Sequence, residues 1–538
     1  MRHLSTITRL SLAPTAILVS HLAVAAPESV ATTRADVVSP AAAQASAPDE
    51  RARLAPELAP VADGIRMLLG DALERIVDEA GHREALRSFY AARDFAPVWI
   101  DAGGTTAQFH AAVARLKAAD ADGLDASDYP TPGLDLAAAD AETLAKTELA
   151  LMASLMSYAR DAQSGRVTPS RISPNIAAAP PVPDPLHVLD TLSGADDVAR
   201  ALDAFNPPHA GFRALKAKLA ELRRASATDD QPRRGRKGRP ATSPIDVILS
   251  NMERWRWLPR DLGASHVLVN IPDYTLDVVR DGQRVFHTRI VVGKTHTPSP
   301  VFSDEIENVQ VNPTWHVPKS IVYGRHLPAL SRDPHALSRM GLVVSRARDG
   351  SITVRQPPGP RNALGRLKVN FPNPFHVYLH DTPDKHLFKR DPRAHSAGCV
   401  RVQNPDQFAA QVLAIGAPAG NYTPARLTGM YGTTERWIPL ETRVPIHIVY
   451  MNAFVANDGR LVVRPDVYGY DARVRSALKG RYLVVTERSQ RGSTVARSAR
   501  AARSANQHSS RAREAPVHRG WYAPRRTFGF FGGWHPGY

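Results

Sequence analysis

Apolar residues recur with two different periods along the chain. Between 51 and 224 the period is helical: Ile65, Leu68, Leu69, Ala72, Leu73 and Ile76 fall at i, i+3, i+4, i+7, i+8 and i+11 and so share one helical face. Leu151, Leu155 and Tyr158 repeat the pattern ahead of the stop Ser164-Gly165, and Leu215, Leu219 and Leu222 add a further stripe. Pro and Gly separate these segments. None of them gathers a set of reactive side chains, and 51–224 reads as a helical scaffold domain.

After a short helix around Ile245, Ile248 and Met252, and the aromatic pair Trp255 and Trp257, the period becomes 2. Val267, Val269 and Ile271 alternate with Leu268 and Asn270, 276–279 runs into Asp281-Gly282, and 285–292 returns. Asp-Gly suits a tight hairpin turn because glycine accepts positive φ. Further strands are predicted at 309–311, 367–369, 377–379 and 446–450. This half, 244–485 with a core at 265–450, is mainly β, so a sandwich-like sheet or an open barrel fits better than a doubly wound sheet. The fold class is α+β.

The ends look different. Arg2 and Arg9, an apolar stretch at 10–19 and Ala23-Val24-Ala25 form the pattern of a cleaved export signal over 1–25, and 26–50 reads as a flexible lead-in. No later stretch is apolar enough to span a bilayer. The expected location is the periplasm or cell envelope. Residues 225–243 break the helical period with Arg233, Arg234, Arg236, Lys237 and Arg239, a basic linker. The tail, 486–538, holds ten Arg and one Glu from Arg488 onward, with Trp521, Phe530 and Trp534 among glycines. Such a composition builds no core.

Charge then changes meaning. The 538 residues carry a formal net charge of +16, which first suggests a nucleic-acid, membrane or acidic-polymer partner. The tail contributes +9 and the linker run +5, leaving +2 for everything else. An exported protein with a near-neutral body excludes nucleic acid and favours an acidic wall polymer or an anionic membrane surface as a contact of the tail.

Candidate chemistry collects late in the β half, around the single cysteine, Cys399, which excludes internal disulfides. It stands 19 residues after His380, behind Gly398 and ahead of a short apolar run. A free thiol is only a few per cent thiolate at neutral pH and needs a base, and His380, at a predicted strand end, is the best placed. Gly398 permits a tight turn whose main-chain N–H groups would face a developing oxyanion. This is an acyl-transfer constellation. An inert buried thiol is the commoner fate of a cysteine, but this one lies in a Ser-x-Gly-Cys turn near several histidines. A zinc site drawn from His376, His380, His386, His395 and Cys399 fits less well, because His376 and His380 on one strand would lie roughly 13 Å apart. No metal and no cofactor is expected.

Tyr378-Leu379-His380-Asp381-Thr382-Pro383 followed by Ser396-Ala397-Gly398-Cys399-Val400-Arg401-Val402 resembles the catalytic core of the murein L,D-transpeptidases, the YkuD-type domain. Asn251-Met252-Glu253-Arg254-Trp255-Arg256-Trp257, Val291-Val292-Gly293-Lys294, Pro300-Val301-Phe302-Ser303, Asn312-Pro313-Thr314-Trp315-His316-Val317-Pro318, Asn362-Ala363-Leu364-Gly365 and, in the helical half, Phe89-Tyr90-Ala91-Ala92-Arg93 resemble the large periplasmic branch of that family. The resemblance implies Cys399 as nucleophile and His380 as base. It also implies a tetrapeptide stem as acyl donor with loss of terminal D-Ala, a diaminopimelate amine as acceptor, a 3→3 cross-link, and acylation by carbapenems. It further implies that Ser396 and Arg401 hold the catalytic loop or the donor stem, that Trp315 and Tyr378 line the donor groove, and that 321–366 is a lid. Two departures stand out. Ala397 occupies a position usually His or Ser in the family, and the basic linker stands where the branch commonly carries a peptidoglycan-binding module. The competing readings are a metal-dependent cell-wall hydrolase and a noncatalytic wall-binding scaffold.

Overall fold

Short polar side chains start the helices of the first half. Thr106, Asp140, Asp184 and Asp197 accept the N–H groups of Phe109, Thr143, His187 and Arg200 at 2.8–3.1 Å, each such cap being worth about 1 kcal/mol. The structure is a computed structural model, and it describes residues 54–70, 72–133, 139–228 and 242–480. The expected export signal, lead-in and tail, and 229–241 of the linker, lie outside the described residues.

The helical half runs α1 (Ala59–Leu68), α2 (Ala80–Ala91), a hairpin of β1 (Ile100–Asp101) and β2 (Gly104–Thr105), α3 (Ala107–Lys117), α4 (Ala141–Ser164), α5 (Pro169–Ile172), α6 (Pro185–Ser193), α7 (Val198–Asp203) and α8 (Ala210–Thr228). The 24-residue α4 is its axis, with Leu149, Met152, Leu155 and Met156 buried. Glu148 on α4 is buried too, and accepts from Tyr90 Oη (2.7 Å) and the N–H groups of Val98 (2.6 Å) and Trp99 (3.0 Å).

Two expectations need correction here. The stripe from Ile65 to Ile76 is not one helix: α1 ends at Leu68, Gly70 follows, and a 3-10 turn at Leu73–Arg75 resumes the pattern. Glycine is costly inside a helix, yet Ile65, Leu69 and Leu73 still enter one core. The linker also begins later than 225, because α8 runs to Thr228 through the helix-forming residues Arg223, Arg224, Ala225 and Ala227.

α9 (Pro244–Trp255) joins the halves. Glu253 accepts the Val167 N–H at 2.8 Å, and the Arg256 guanidinium donates to the carbonyls of Ala162 (3.2 Å) and Asp122 (2.6 Å). Arg254 points the other way, to Asn452 Oδ1 (2.5 Å) and Asp471 (2.9 Å). The motif from Asn251 to Trp257 is therefore a two-sided joint, one side facing α4 and the other facing Asn452 and Asp471 of the second half.

The β half comprises β3 (His266–Asn270), β4 (Thr275–Arg280), β5 (Gln283–Gly293), β6 (Phe302–Val311), β7 (Trp315–His316), α10 (Lys319–Ile321), α11 (Leu327–Arg332), α12 (Ala336–Arg339), β8 (Val343–Arg346), β9 (Ile352–Gln356), β10 (Leu367–Asn370), β11 (Leu379–His380), β12 (Ala394–Ser396), β13 (Val400–Val402), α13 (Pro405–Gly416), α14 (Pro424–Gly429), β14 (Arg436–Val449), β15 (Ala453–Val455), β16 (Leu461–Val463) and α15 (Tyr470–Leu478). Asp281 and Gly282 both have positive φ, 50° and 74°, as the predicted hairpin turn requires.

Strand pairing runs β5-β13-β11-β10-β6-β14-β3-β4, and β4 pairs back onto β5. The circuit closes, which removes free edges. β5 makes the closure by serving two neighbourhoods: residues 283–289 pair with β4, and 290–293 with β13 and β12. The half is mainly β, as read from the sequence, with closure as the added feature. Val267, Val269, Leu276, Val278, Ile306, Val309, Leu379 and Val400 fill the core, and α13 packs into it through Phe408, Ala409, Val412 and Leu413.

Between β6 and β10 an insert forms its own sheet, β7-β9-β8, around Val317, Val322, Leu337, Leu342 and Val354. Asn362 clasps both of its ends, donating from Nδ2 to the carbonyls of Pro313 (3.0 Å), Gln356 (3.0 Å) and Pro357 (2.9 Å). The expected lid, 321–366, falls on this insert and its clasp.

Candidate active site

Register assembles the site. β10 is antiparallel to β11 with Lys368 opposite His380, and β11 is parallel to β13 with His380 opposite Arg401. Strand alternation sends Leu367, Val369, Leu379, Val400 and Val402 into the core, so Lys368, His380 and Arg401 stand in a row on the other face. Tyr378 and Cys399, two residues before His380 and Arg401, share that face, and the Val400 N–H donates to the Tyr378 carbonyl at 3.1 Å.

His380 is buried, and its Nδ1–H donates to the Asp381 carbonyl at 2.5 Å. A carbonyl only accepts, so this bond fixes the tautomer and leaves Nε2 as a proton acceptor. Burial, then Arg401, pull the imidazole down to about 3 against the opposing Asp381 bond, with Lys368 adding to the pull. Asp381 is held in turn. Its carboxylate accepts the N–H groups of Arg366 (2.8 Å) and Thr382 (2.6 Å) and pairs with Lys385. Gly365 makes room for it: φ is +63°, and a Cβ there would lie 2.3 Å from the Asp381 carboxyl carbon.

The half-buried Cys399 thiol is pushed up by burial, opposed first by the backbone and hydroxyl of Tyr378 and then by Lys368 and Arg401. The resting state is thus a neutral thiol beside a neutral imidazole. The turn before it is braced from both sides. Ser396 Oγ donates to the Cys399 carbonyl (2.5 Å) and accepts the Gly398 N–H (3.1 Å), while Ser299 Oγ donates to the Gly398 carbonyl (2.6 Å). Gly398 has φ +126°, a conformation side chains rarely adopt.

The Gly398 N–H donates to Ser396 Oγ, so Ser396 braces the turn that Gly398 makes. The Tyr378 ring lies under the Lys368 ammonium, 4.3 Å from its centroid, and the Tyr378 hydroxyl is pushed up by burial and then by Cys399, opposed by Trp315, which packs against the insert's core. Arg401 ion-pairs with Asp384 at 2.9 Å. His376 and His386 are exposed and join nothing at the thiol, Ala397 is exposed, and His395 is partly buried with Nε2 unpartnered among the described residues.

With that geometry in place, the comparisons with known proteins divide the chain the same way. Residues 84–219 match the family model described as a scaffold domain, and 264–446 match that of the L,D-transpeptidase catalytic domain. Most of the β half, 264–446, is matched as an L,D-transpeptidase catalytic domain. A curated Haemophilus influenzae protein, provisionally named an L,D-transpeptidase, is 34% identical over 246 residues, covering 43% of this chain and 49% of that protein. The chain thus spans about half the length of the curated relative it matches. Among solved structures, an Enterococcus faecium L,D-transpeptidase mutant aligns at 14% identity over 34% of this chain and 49% of that one, with a TM-score of 0.18. L,D-transpeptidase 3 of Mycobacterium tuberculosis aligns at 11% identity over 34% and 60%, also with a TM-score of 0.18. Scores this low add nothing to the argument.

For this L,D-transpeptidase domain, reading the sequence missed Lys368, Asp381 as the holder of His380, and Ser299. Lys368 left one faint signal, a cation between the inward-facing Leu367 and Val369.

Proposed function

We propose that this chain is a peptidoglycan L,D-transpeptidase working through a Cys399 thioester. The observation that carries this reading is His380, locked by Asp381 with Nε2 open, on the same strand face as the lone cysteine. Sγ attacks the carbonyl carbon of the third residue of a tetrapeptide stem as the thiol proton passes to Nε2. The tetrahedral intermediate collapses, the imidazolium protonates the departing D-Ala amine, and a thioester remains. A diaminopimelate amine on a neighbouring stem then attacks; His380 takes its proton and returns it to sulfur as the 3→3 amide forms. A histidine held down to about 3 is a weak base and a strong acid, which suits the leaving-group step and requires proton transfer to accompany attack. Peptide-bond energy is kept in the thioester, so the reaction as written needs no cofactor.

The place of action is the cell envelope, reached through the export signal. Among the described residues no helix is long and apolar enough to cross a membrane. The Arg-rich tail adds contact with anionic wall or membrane surface, and truncation before Arg488 would weaken sedimentation with sacculi at low salt. The central test is intact-protein mass spectrometry after carbapenem exposure. The wild type is expected to gain one adduct and Cys399→Ala none; a folded wild type without adduct overturns the reading, and retained activity in Cys399→Ala with loss to chelator favours a metal-dependent hydrolase.

A further inference from the structure

The basic groups around the Cys399 sulfur are not equivalent. Arg401 is committed to Asp384 at 2.9 Å, and His380 is committed through Nδ1 to the Asp381 carbonyl. Lys368 reaches in from β10, opposite His380 in register, and its ammonium stands 4.3 Å from the centroid of the Tyr378 ring. A cation over an aromatic face is held by the ring quadrupole, and over a phenol it also makes the hydroxyl a better donor. That hydroxyl favours the charged form of Cys399 against the effect of burial, from the same strand face. Lys368 thus acts on the sulfur twice, through space as a charge and through the ring as a polariser.

We propose that Lys368 is the positioning residue of the Cys399 thiolate, holding the Tyr378 ring in place and supplying the positive charge that stabilises sulfur as its proton leaves for His380 Nε2. This deepens the transpeptidase reading and rests on it for its purpose, though not for its test. The charged and titratable groups facing the thiol are Tyr378 and His380 from β11, Lys368 from β10 and Arg401 from β13. Behind them, Glu435 acts on Lys368 and Asp384 on Arg401. Burial lowers the lysine's pKa, and the charge that most opposes this is the Cys399 sulfur, ahead of Glu435. The sulfur is the lysine's main reason to be charged, and the lysine supports the thiolate after Tyr378 and ahead of Arg401.

Because Cys399 is the only cysteine, alkylation by iodoacetamide in the full chain, read by intact mass across pH, reports this thiol alone. Lys368→Met is expected to raise the midpoint by about one pH unit, a tenfold slower reaction at any pH below it, while Lys368→Arg keeps the charge and the wild-type midpoint. The sign separates the proposal from a merely structural role. Burial already holds the thiol above its ordinary pKa, so a loosened site would move the midpoint down. Tyr378→Phe, which keeps the ring under the lysine, is expected to raise the midpoint as well, and the double variant to rise by less than the sum of the two. Lys368→Gln serves if the Met variant does not fold. An unchanged or lowered midpoint in a folded charge-removing variant, judged by circular dichroism, overturns the assignment. D-Ala release from a tetrapeptide stem is scored separately: a wild type that releases none sinks the proposed function and leaves the alkylation result standing.

Discussion

Two of the places where charge is buried among the described residues treat it in opposite ways. At the joint between the halves, each ion meets a counter-ion: Arg254 faces Asp471 at 2.9 Å, Arg256 faces Glu253 at 3.8 Å, and further hydrogen bonds run to Asn452, Ala162, Asp122 and Val167. On the strand face of the candidate site, Lys368, His380 and Arg401 instead surround a thiol, and the carboxylates stand behind, Asp384 on Arg401 and Asp381 on Lys385. The paired arrangement fixes how α9 seats and leaves nothing to react. In the unbalanced one, burial and then the field of Arg401 and Lys368 keep His380 neutral, and the same field favours negative sulfur.

Exchanging damage between the two regions tests that contrast most strongly. Cys399→Ala is expected to lower D-Ala release by at least about a thousandfold while changing stability by less than about 1 kcal/mol. Glu253→Ala should do the reverse. It strands the buried Arg256 guanidinium, a loss of roughly 3–5 kcal/mol in chemical denaturation, yet alkylation of Cys399 in the folded fraction should match the wild type. A Glu253 variant that alters thiol chemistry as much as stability would show that the joint and the site are coupled.

Gly365→Ala comes next and probes the boundary, because its Cβ would collide with Asp381, which orients His380. The expected result is a tenfold to hundredfold slower D-Ala release, about 1–3 kcal/mol in effect, with KM nearly unchanged. A full-rate Gly365→Ala would mean that the Asp381 clamp is dispensable.

Acid sensitivity is a smaller effect with a definite sign. His380 is held down to about 3, against an ordinary value near 6.5. Between those pH values the unfolded chain binds a proton that the folded chain does not, so stability falls as pH falls, by about 1.4 kcal/mol per pH unit for each such group. His209, stacked near Trp255 and held down to about 4 by burial, acts in the same direction. His380→Gln should flatten the acid limb by about one proton and leave the His209 share. Denaturant midpoints across pH 3–7 would show it, and an unchanged slope would mean that His380 titrates normally.

How much of this was legible depended on what each residue's signal competes with. Cys399 and His380 stood out because a lone cysteine behind a glycine has few other readings. The stripes of α4 and α8 stood out because burial on one face demands period 3.6. Lys368 was hidden because an outward lysine on a strand looks like ordinary surface until the pairing of β10 with β11 puts it opposite His380. Residues 436–445 of β14 were hidden by Pro439 and Pro445, which argue against a strand; the structure accommodates them with a register shift between Pro439 and Val444. The closed circuit was beyond reach, since β14 finds its parallel partner β3 across most of the domain's length. α13 carried an apolar stripe, Phe408, Val412 and Leu413, that the attention paid to strands passed over.

The smallest expected effect concerns how the insert touches the thiol. Trp315 sits against the insert's core, and its indole N–H favours the charged form of the Tyr378 hydroxyl, which in turn favours the charged sulfur of Cys399. Trp315→Phe keeps an aromatic ring for packing and removes only that donor, so stability should move by less than about 1 kcal/mol. Without the indole N–H the hydroxyl loses polarisation, and the alkylation midpoint of Cys399 should rise by a few tenths of a pH unit, about a twofold slower reaction at neutral pH. The shift should vanish in a Tyr378→Phe background, where no hydroxyl remains to carry it. A shift that persists there would mean that Trp315 acts on the thiol by shielding it from water, and the insert would then belong with the site as a cover and not as a hydrogen-bonding partner.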